Sequence, residues 1–267
     1  MLFRFKQALN DGKLILEYQP VYASATGNIV GVEALLRWRD VRFGNVSPET
    51  FIALAVANDL IESVSLFVLQ KAVSEMAAWV KQHALYLSVN ILPADLASAR
   101  FRSKLLALLE HYELPPAAIM LEVVEVECQD LIALRQNVDA FRTLGFRIAL
   151  DDFGKGCSNF ERLLGVPVSD LKIDKCLTDN LFTPRRNLKG IIDCLYQLPV
   201  QLIFEGVEQP EQAQFIRKHY PNASMQGWYF SRALPPDAIA ELVRQDENNE
   251  GQPAIADSPF LNDTMAI

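Results

Sequence analysis

What this 267-residue sequence has little of narrows its function before any motif does. Histidine appears only at His83, His111 and His219, each isolated in a polar or mixed helix-like stretch, so neither a zinc site nor a histidine acid–base pair is expected. Cys128, Cys157, Cys176 and Cys194 have neither the close spacing of metal thiolates nor the pattern of a small disulfide scaffold. We read them as reduced thiols in a cytoplasmic protein. No apolar run reaches the roughly 18–20 residues that span a bilayer, and Met1 to Lys13 lacks the apolar core of a signal peptide, so membrane contact by this chain itself is not expected. Basic residues are outnumbered, and the net charge of -8 argues against a DNA or RNA polymer as partner. A small anionic ligand stays open, because a bound cation reverses the local field. The glycine fingerprint of a dinucleotide-binding sheet is also missing.

What is present is a long folded chain with a hydrophobic content of 50%. The length suits one (β/α) barrel. Phe3 to Asn10 reads as a helix closed by Asp11-Gly12, and Leu14 to Tyr22 as a strand interrupted by Pro20. A turn at Ala25-Thr26-Gly27-Asn28 leads to a second strand from Ile29 to Leu35, giving an antiparallel hairpin. Ser47 and Pro48 start helical segments at Phe51 to Asn58 and Ile61 to His83. Short apolar runs then alternate with amphipathic segments, with strands expected near Leu85–Val89, Ile119–Leu121, Phe146–Leu150, Asp170–Ile173, Gln201–Phe204 and Ser224–Phe230. This predicts an α/β fold, a TIM-like (β/α)8 barrel with one antiparallel strand near the N-terminus, over residues 1–244, followed by a flexible tail over 245–267.

The pivotal stretch is Phe146-Arg147-Ile148-Ala149-Leu150-Asp151-Asp152-Phe153-Gly154, an apolar strand running into two adjacent carboxylates. Successive strand residues face opposite ways, so the strand is expected to end at the acid pair. Taken alone, the pair fits a surface turn or a helix N-cap as well as a ligand set for a hard cation. The other strand ends add to it: Glu33 and Arg37, Asn90, Glu122 and Glu125, Lys172, Glu205 and Glu208, and Gln226. Acids gathered at one barrel mouth repel one another unless cations sit among them. Oxygen donors without histidine or cysteine favour two hard divalent cations, Mg2+ or Mn2+, and such a pair suits phosphodiester hydrolysis. Lys172 and Arg37 would neutralise phosphate charge.

Glu33-Ala34-Leu35-Leu36-Arg37, Ser88-Val89-Asn90, Leu121-Glu122 with Glu125, Asp151-Asp152-Phe153-Gly154, Leu171-Lys172-Ile173-Asp174, Glu205-Gly206-Val207-Glu208 and Gln226-Gly227 together resemble the ordered motifs of the EAL-domain cyclic-di-GMP phosphodiesterases. The resemblance spans roughly Leu14 to Leu234. It implies hydrolysis of cyclic di-GMP to linear pGpG in bacterial second-messenger signalling, two Mg2+ or Mn2+ ions, and a homodimer. It implies further that Glu33, Asn90, Glu122 and Asp151 hold one metal and that Asp151 with Asp152 places the second. Lys172 orients water or phosphate, Glu205 is the general base, Glu208 and Gln226 complete the ligand and water network, and Arg37, Gln19 and Leu35 contact substrate. Glu125 anchors the loop after Asp152. The sequence departs from the family at Val124, where threonine is usual, in the loop Lys155-Gly156-Cys157-Ser158-Asn159, and at Trp228-Tyr229, where Tyr-Leu is usual.

Two other readings compete. One is a catalytically inactive module that binds cyclic di-GMP or a protein. The other takes Lys172 as a Schiff-base lysine, which nearby acids oppose by raising its pKa. The chain opens almost directly on a helix and strand, which suits both a free cytoplasmic protein and the cytoplasmic part of a larger membrane-anchored sensor.

Overall fold

The computed structural model describes residues 1–124, 130–155, 159–181 and 188–248. Its strands are β1 (Ile15–Ala23), β2 (Ile29–Asp40), β3 (Gly44–Val46), β4 (Tyr86–Ile91), β5 (Ile119–Val123), β6 (Arg147–Phe153), β7 (Asp170–Ile173), β8 (Gln201–Phe204) and β9 (Ser224–Met225). They run in the order β1-β9-β8-β7-β6-β5-β4-β2, and a β1–β2 pairing closes the ring. β1 is antiparallel to both neighbours, while the other ring contacts are parallel. The expected barrel with one antiparallel strand is therefore present. β3 is an addition, folded back on the far end of β2 outside the ring.

Local chemistry accounts for the elements that set this frame. Ser47 caps the helix Pro48–Val56 by accepting from the Thr50 N–H at 3.4 Å, with proline at a position whose N–H needs no partner. Pro20 does not interrupt β1. Tyr18 exchanges both backbone hydrogen bonds with Leu234 and Tyr22 pairs with Met225, so Pro20 turns its missing N–H toward a gap between those two contacts.

Several boundaries differ from the sequence reading, among them β2, which runs on to Asp40 instead of ending at Leu35. β6 continues through the two aspartates to Phe153, with a register shift between Leu150 and Phe153. β9 stops at Met225 instead of reaching Phe230, because the chain crosses Val207 so closely at Gly227 that a Cβ there would lie 2.1 Å from the Val207 carbonyl oxygen. The last helix, Pro236–Asn248, runs beyond residue 244 into the segment expected to be a tail, and 249–267 lie outside the described residues.

The barrel interior is layered. Val21, Tyr86, Met120, Ala149 and Ile203 form an apolar floor distinct from the larger core between strands and helices. Below it, the Arg147 guanidinium lies 4.0 Å from the Tyr86 ring centroid and pairs with Asp170. Period-two alternation then forces the next inward positions to be Glu33, Ser88, Glu122 and Lys172, and above them Asn90 and Asp151. A polar layer thus sits directly on an apolar one, and the strand ends inherit its charge.

Gly31 makes the floor possible: a Cβ there would lie 2.4 Å from the Tyr86 ring, which Arg147 blocks from the other side. Gly31→Ala is expected to destabilise the fold by about 1–3 kcal/mol through overpacking. Chemical denaturation would show it, and an unchanged midpoint would contradict this account of the floor.

Candidate active site

Lys172 is the centre of the site. Only 2% exposed, its ammonium lies 2.7 Å from Glu122 Oε2, 2.9 Å from Glu205 Oε1, 3.1 Å from Asp151 Oδ1 and 3.5 Å from Glu33 Oε2. β2, β5, β6, β7 and the residue after β8 each deliver one of these groups. Glu33 also accepts from Asn90 Nδ2 and from Gln226 Nε2, both at 2.9 Å. Glu33, Asn90, Glu122, Asp151, Lys172, Glu205 and Gln226, widely spaced in sequence, therefore form one contiguous network.

The proton affinities within it diverge. Burial raises that of Glu33, but Lys172, with the bonds from Gln226 and Asn90, outweighs it and holds the carboxyl below its ordinary range. Glu122 goes the other way, well above its ordinary value, through burial and the charge of Glu33. Burial also lifts Glu205 to about 8, with Asp151 and Glu33 adding to it against Lys172. For Lys172 burial favours the neutral amine, yet Asp151, Glu122, Glu205 and Glu33 together push its pKa well up. An ammonium held this firmly is a poor Schiff-base nucleophile, which disfavours the aldolase-like reading.

Asp152 shows how two adjacent strand residues reach one mouth. Its φ of +54° lies in the left-handed region, and the bulge this creates turns it to the same side as Asp151. Carboxylate oxygens of Asp151, Asp152 and Glu205 come within 4.8 Å of one another, a grouping able to hold a metal ion. Burial and the Asp151 charge raise the Asp152 pKa against the pull of Lys155, whose ammonium is 3.1 Å away. The sequence reading separated Glu205 from the metal ligands, whereas the geometry groups it with the aspartates.

The remaining expected residues occupy the rim. Gln19, Leu35, Glu208 and Gln226 line one cavity of about 230 Å³ together with Glu33, Glu205 and Trp228. Gln19 Nε2 donates to the Ser231 carbonyl at 3.1 Å, and Glu208 is paired with Lys175 at 2.7 Å. Arg37 lies outside that cavity and lines a second, largely apolar one of about 280 Å³ with Leu35 and Asn90. Glu125 lies outside the described residues.

Sequence reasoning missed Glu17 and Lys175. Glu17 accepts from Arg37 Nε and from an Arg39 N–H, both at 2.9 Å, and so fixes the arginine expected to face phosphate. Its signal was available: Glu17 and Gln19 alternate on β1 opposite Leu35 and Glu33. Lys175 had no such signal, since it follows β7 on a short helix, Lys175–Thr178.

The EAL domain family matches residues 4–233. Among curated relatives, the probable cyclic di-GMP phosphodiesterase PdeB of Escherichia coli is 33% identical over 91% of this chain and 47% of its own length. The cyclic di-GMP phosphodiesterase NbdA of Pseudomonas aeruginosa is also 33% identical, over 90% of this chain and 31% of its own. The chain thus spans less than half the length of either. Among solved structures, the PaMucR phosphodiesterase in complex with c-di-GMP superposes with a TM-score of 0.79 at 30% identity, covering 89% of this chain and 99% of that one. An EAL domain protein from Listeria monocytogenes gives 0.77 at 26% identity, covering 90% and 96%. Barrel topology, the ordered acidic motifs and these matches agree, and the chain belongs to the EAL-domain family.

Proposed function

We propose that this chain is a metal-dependent phosphodiesterase that opens cyclic di-GMP to linear pGpG, within a homodimeric protein of the cytoplasm. The observation that carries the reading is the convergence of Glu33, Glu122, Asp151 and Glu205 on the single buried Lys172, with Asp152 beside them. Relatives named as cyclic di-GMP phosphodiesterases and a related phosphodiesterase seen with c-di-GMP support the substrate.

The donor set fits hard divalent cations. Carboxylate and amide oxygens outnumber the one interior ammonium, and Gln226 Oε1 and Ser88 Oγ are buried there without a hydrogen-bond partner among the described residues. Glu33, Asn90, Glu122 and Asp151 would hold one Mg2+ or Mn2+, and Asp151 with Asp152 the other. When bound, two such ions make water a stronger acid and stabilise charge on phosphoryl oxygens.

The chain's own residues supply the rest. Glu205, which Lys172 holds at 2.9 Å beside Asp151 and Asp152, accepts the proton of the attacking water. Lys172 keeps the acids in register and presents positive charge to the phosphate. Arg37, steadied through its Nε by Glu17, keeps N–H groups for a second phosphate contact. Leu35, Gln19, Glu208 and Gln226 shape the cavity that receives the substrate. For the homodimer, exposed Ile132, Phe160 and Leu164 on helices Leu131–Thr143 and Asn159–Gly165 supply apolar surface.

The purified chain is expected to release linear dinucleotide from cyclic di-GMP with Mg2+ or Mn2+ and to stop on chelation, and Glu33→Ala should abolish turnover. Ligand binding without product under either metal would instead establish a binding module. Glu205→Gln should cost about 10²–10⁴-fold in kcat with a smaller change in KM. Removing Lys172 leaves buried carboxylates uncompensated, a loss of roughly 3–5 kcal/mol. Lys172→Met should therefore melt earlier than wild type in chelator and recover part of the difference in Mn2+. A variant as stable as wild type in chelator would contradict the central role of the lysine.

A further inference from the structure

Resting on that reading, we propose that Trp228 and Arg232 form a base-stacking platform that sets affinity for one purine of the substrate. Trp228 lines the mouth cavity with Glu205, Glu208 and Gln226, yet its side chain takes no part in the ligand network. It remains 57% exposed, unusual for an indole unless something covers it. Arg232 lies over its ring, 4.1 Å from the centroid, and no hydrogen bond or ion pair is formed by its guanidinium among the described residues. An indole backed by an uncommitted cation, beside a cavity suited to an anionic dinucleotide, presents both a π-face for a base and a charge for its phosphate.

The platform is held rigid. Gly227 permits a backbone approach to Val207 that any Cβ would block. The Tyr229 N–H donates to the Val207 carbonyl at 3.0 Å, and Phe230 stacks on Tyr22 with centroids 4.6 Å apart. Gln19 donates to the Ser231 carbonyl, and Leu234 exchanges backbone bonds with Tyr18. Every residue from Gly227 to Leu234 is thus within two positions of an anchor on β1 or after β8. A fixed aromatic surface loses little entropy on binding, so stacking appears in affinity rather than in ordering of the loop.

The test compares wild type with Trp228→Ala, Trp228→Phe and Arg232→Gln in cyclic di-GMP turnover, and follows indole fluorescence on ligand addition with Ca2+ in place of the activating metal. Trp228→Ala should raise KM about 5–100-fold, the range of base–aromatic stacking, with kcat within a few-fold. Trp228→Phe should restore most of the affinity but lose the fluorescence quench that wild type shows. Arg232→Gln should raise KM less than Trp228→Ala. Active wild type with an unchanged KM in Trp228→Ala would overturn the platform while leaving the phosphodiesterase intact. Wild type that neither binds nor cleaves cyclic di-GMP would overturn both.

Discussion

A buried lysine cannot stay charged in a protein interior without anions, and a ring of buried carboxylates cannot stay ionised without a cation. The structure is organised around the mutual dependence of these two conditions at Lys172. Neither partner is stable alone, and a pair of this kind costs more to break than it contributes when whole. The parallel strands bring the opposing charges together: each crossover returns the chain to the same end of the barrel, so β5, β6 and the residue after β8 deliver their acids to the place where β7 delivers its lysine. The excess of acid over base in that layer is what makes the barrel end a receptor for further positive charge.

Much of this was legible from residues alone. Alternation of apolar runs with helical segments gave the barrel, and β7 and β8 have the ranges expected. The helix Ile61–His83 also begins and ends where its periodicity does. Glu122, Asp151 and Glu205 were visible because each stands close to or just past the end of an apolar run, whereas Glu33 lies in the middle of β2 and showed only through its alternation with apolar neighbours. What escaped detection depended on geometry that a linear pattern does not carry. The strand through Asp151 and Asp152 was expected to stop, since a regular strand cannot aim neighbours the same way, and the left-handed turn at Asp152 resolves that conflict by a bulge instead. Arg37 carries the right charge on the right strand, but its environment follows from Glu17 on the antiparallel neighbour. Pro20 looked like a break because the gap it faces exists only in three dimensions.

The rim is built differently from the centre. In the centre, each group is fixed by buried ionic contacts, and its position tolerates little change. At the rim, Lys155, Lys175 and Arg232 are more exposed: Lys155 rests on Asp152, Arg232 on the Trp228 ring, and Lys175 on Glu208 with Asp179 at 3.5 Å. Exposed pairs of that kind are weak, so these side chains are free to exchange partners when an anionic molecule enters. Rigid chemistry in the interior is thereby combined with adaptable recognition at the surface.

The antiparallel β1 has a kinetic meaning as well as an architectural one. It pairs with β2 across a short turn, contacts that are local in sequence, but its other edge pairs, among the described residues, with Met225, Ser224 and Leu234, some two hundred residues further along the chain. During synthesis the ring stays open at that seam until β9 and the segment to Leu234 have emerged. Unpaired strand edges are the surfaces on which incomplete chains aggregate. A ribosome stalled before Leu234 would therefore hold most of the barrel with its seam unsealed, and the nascent chain would depend on chaperones until the final strand arrives.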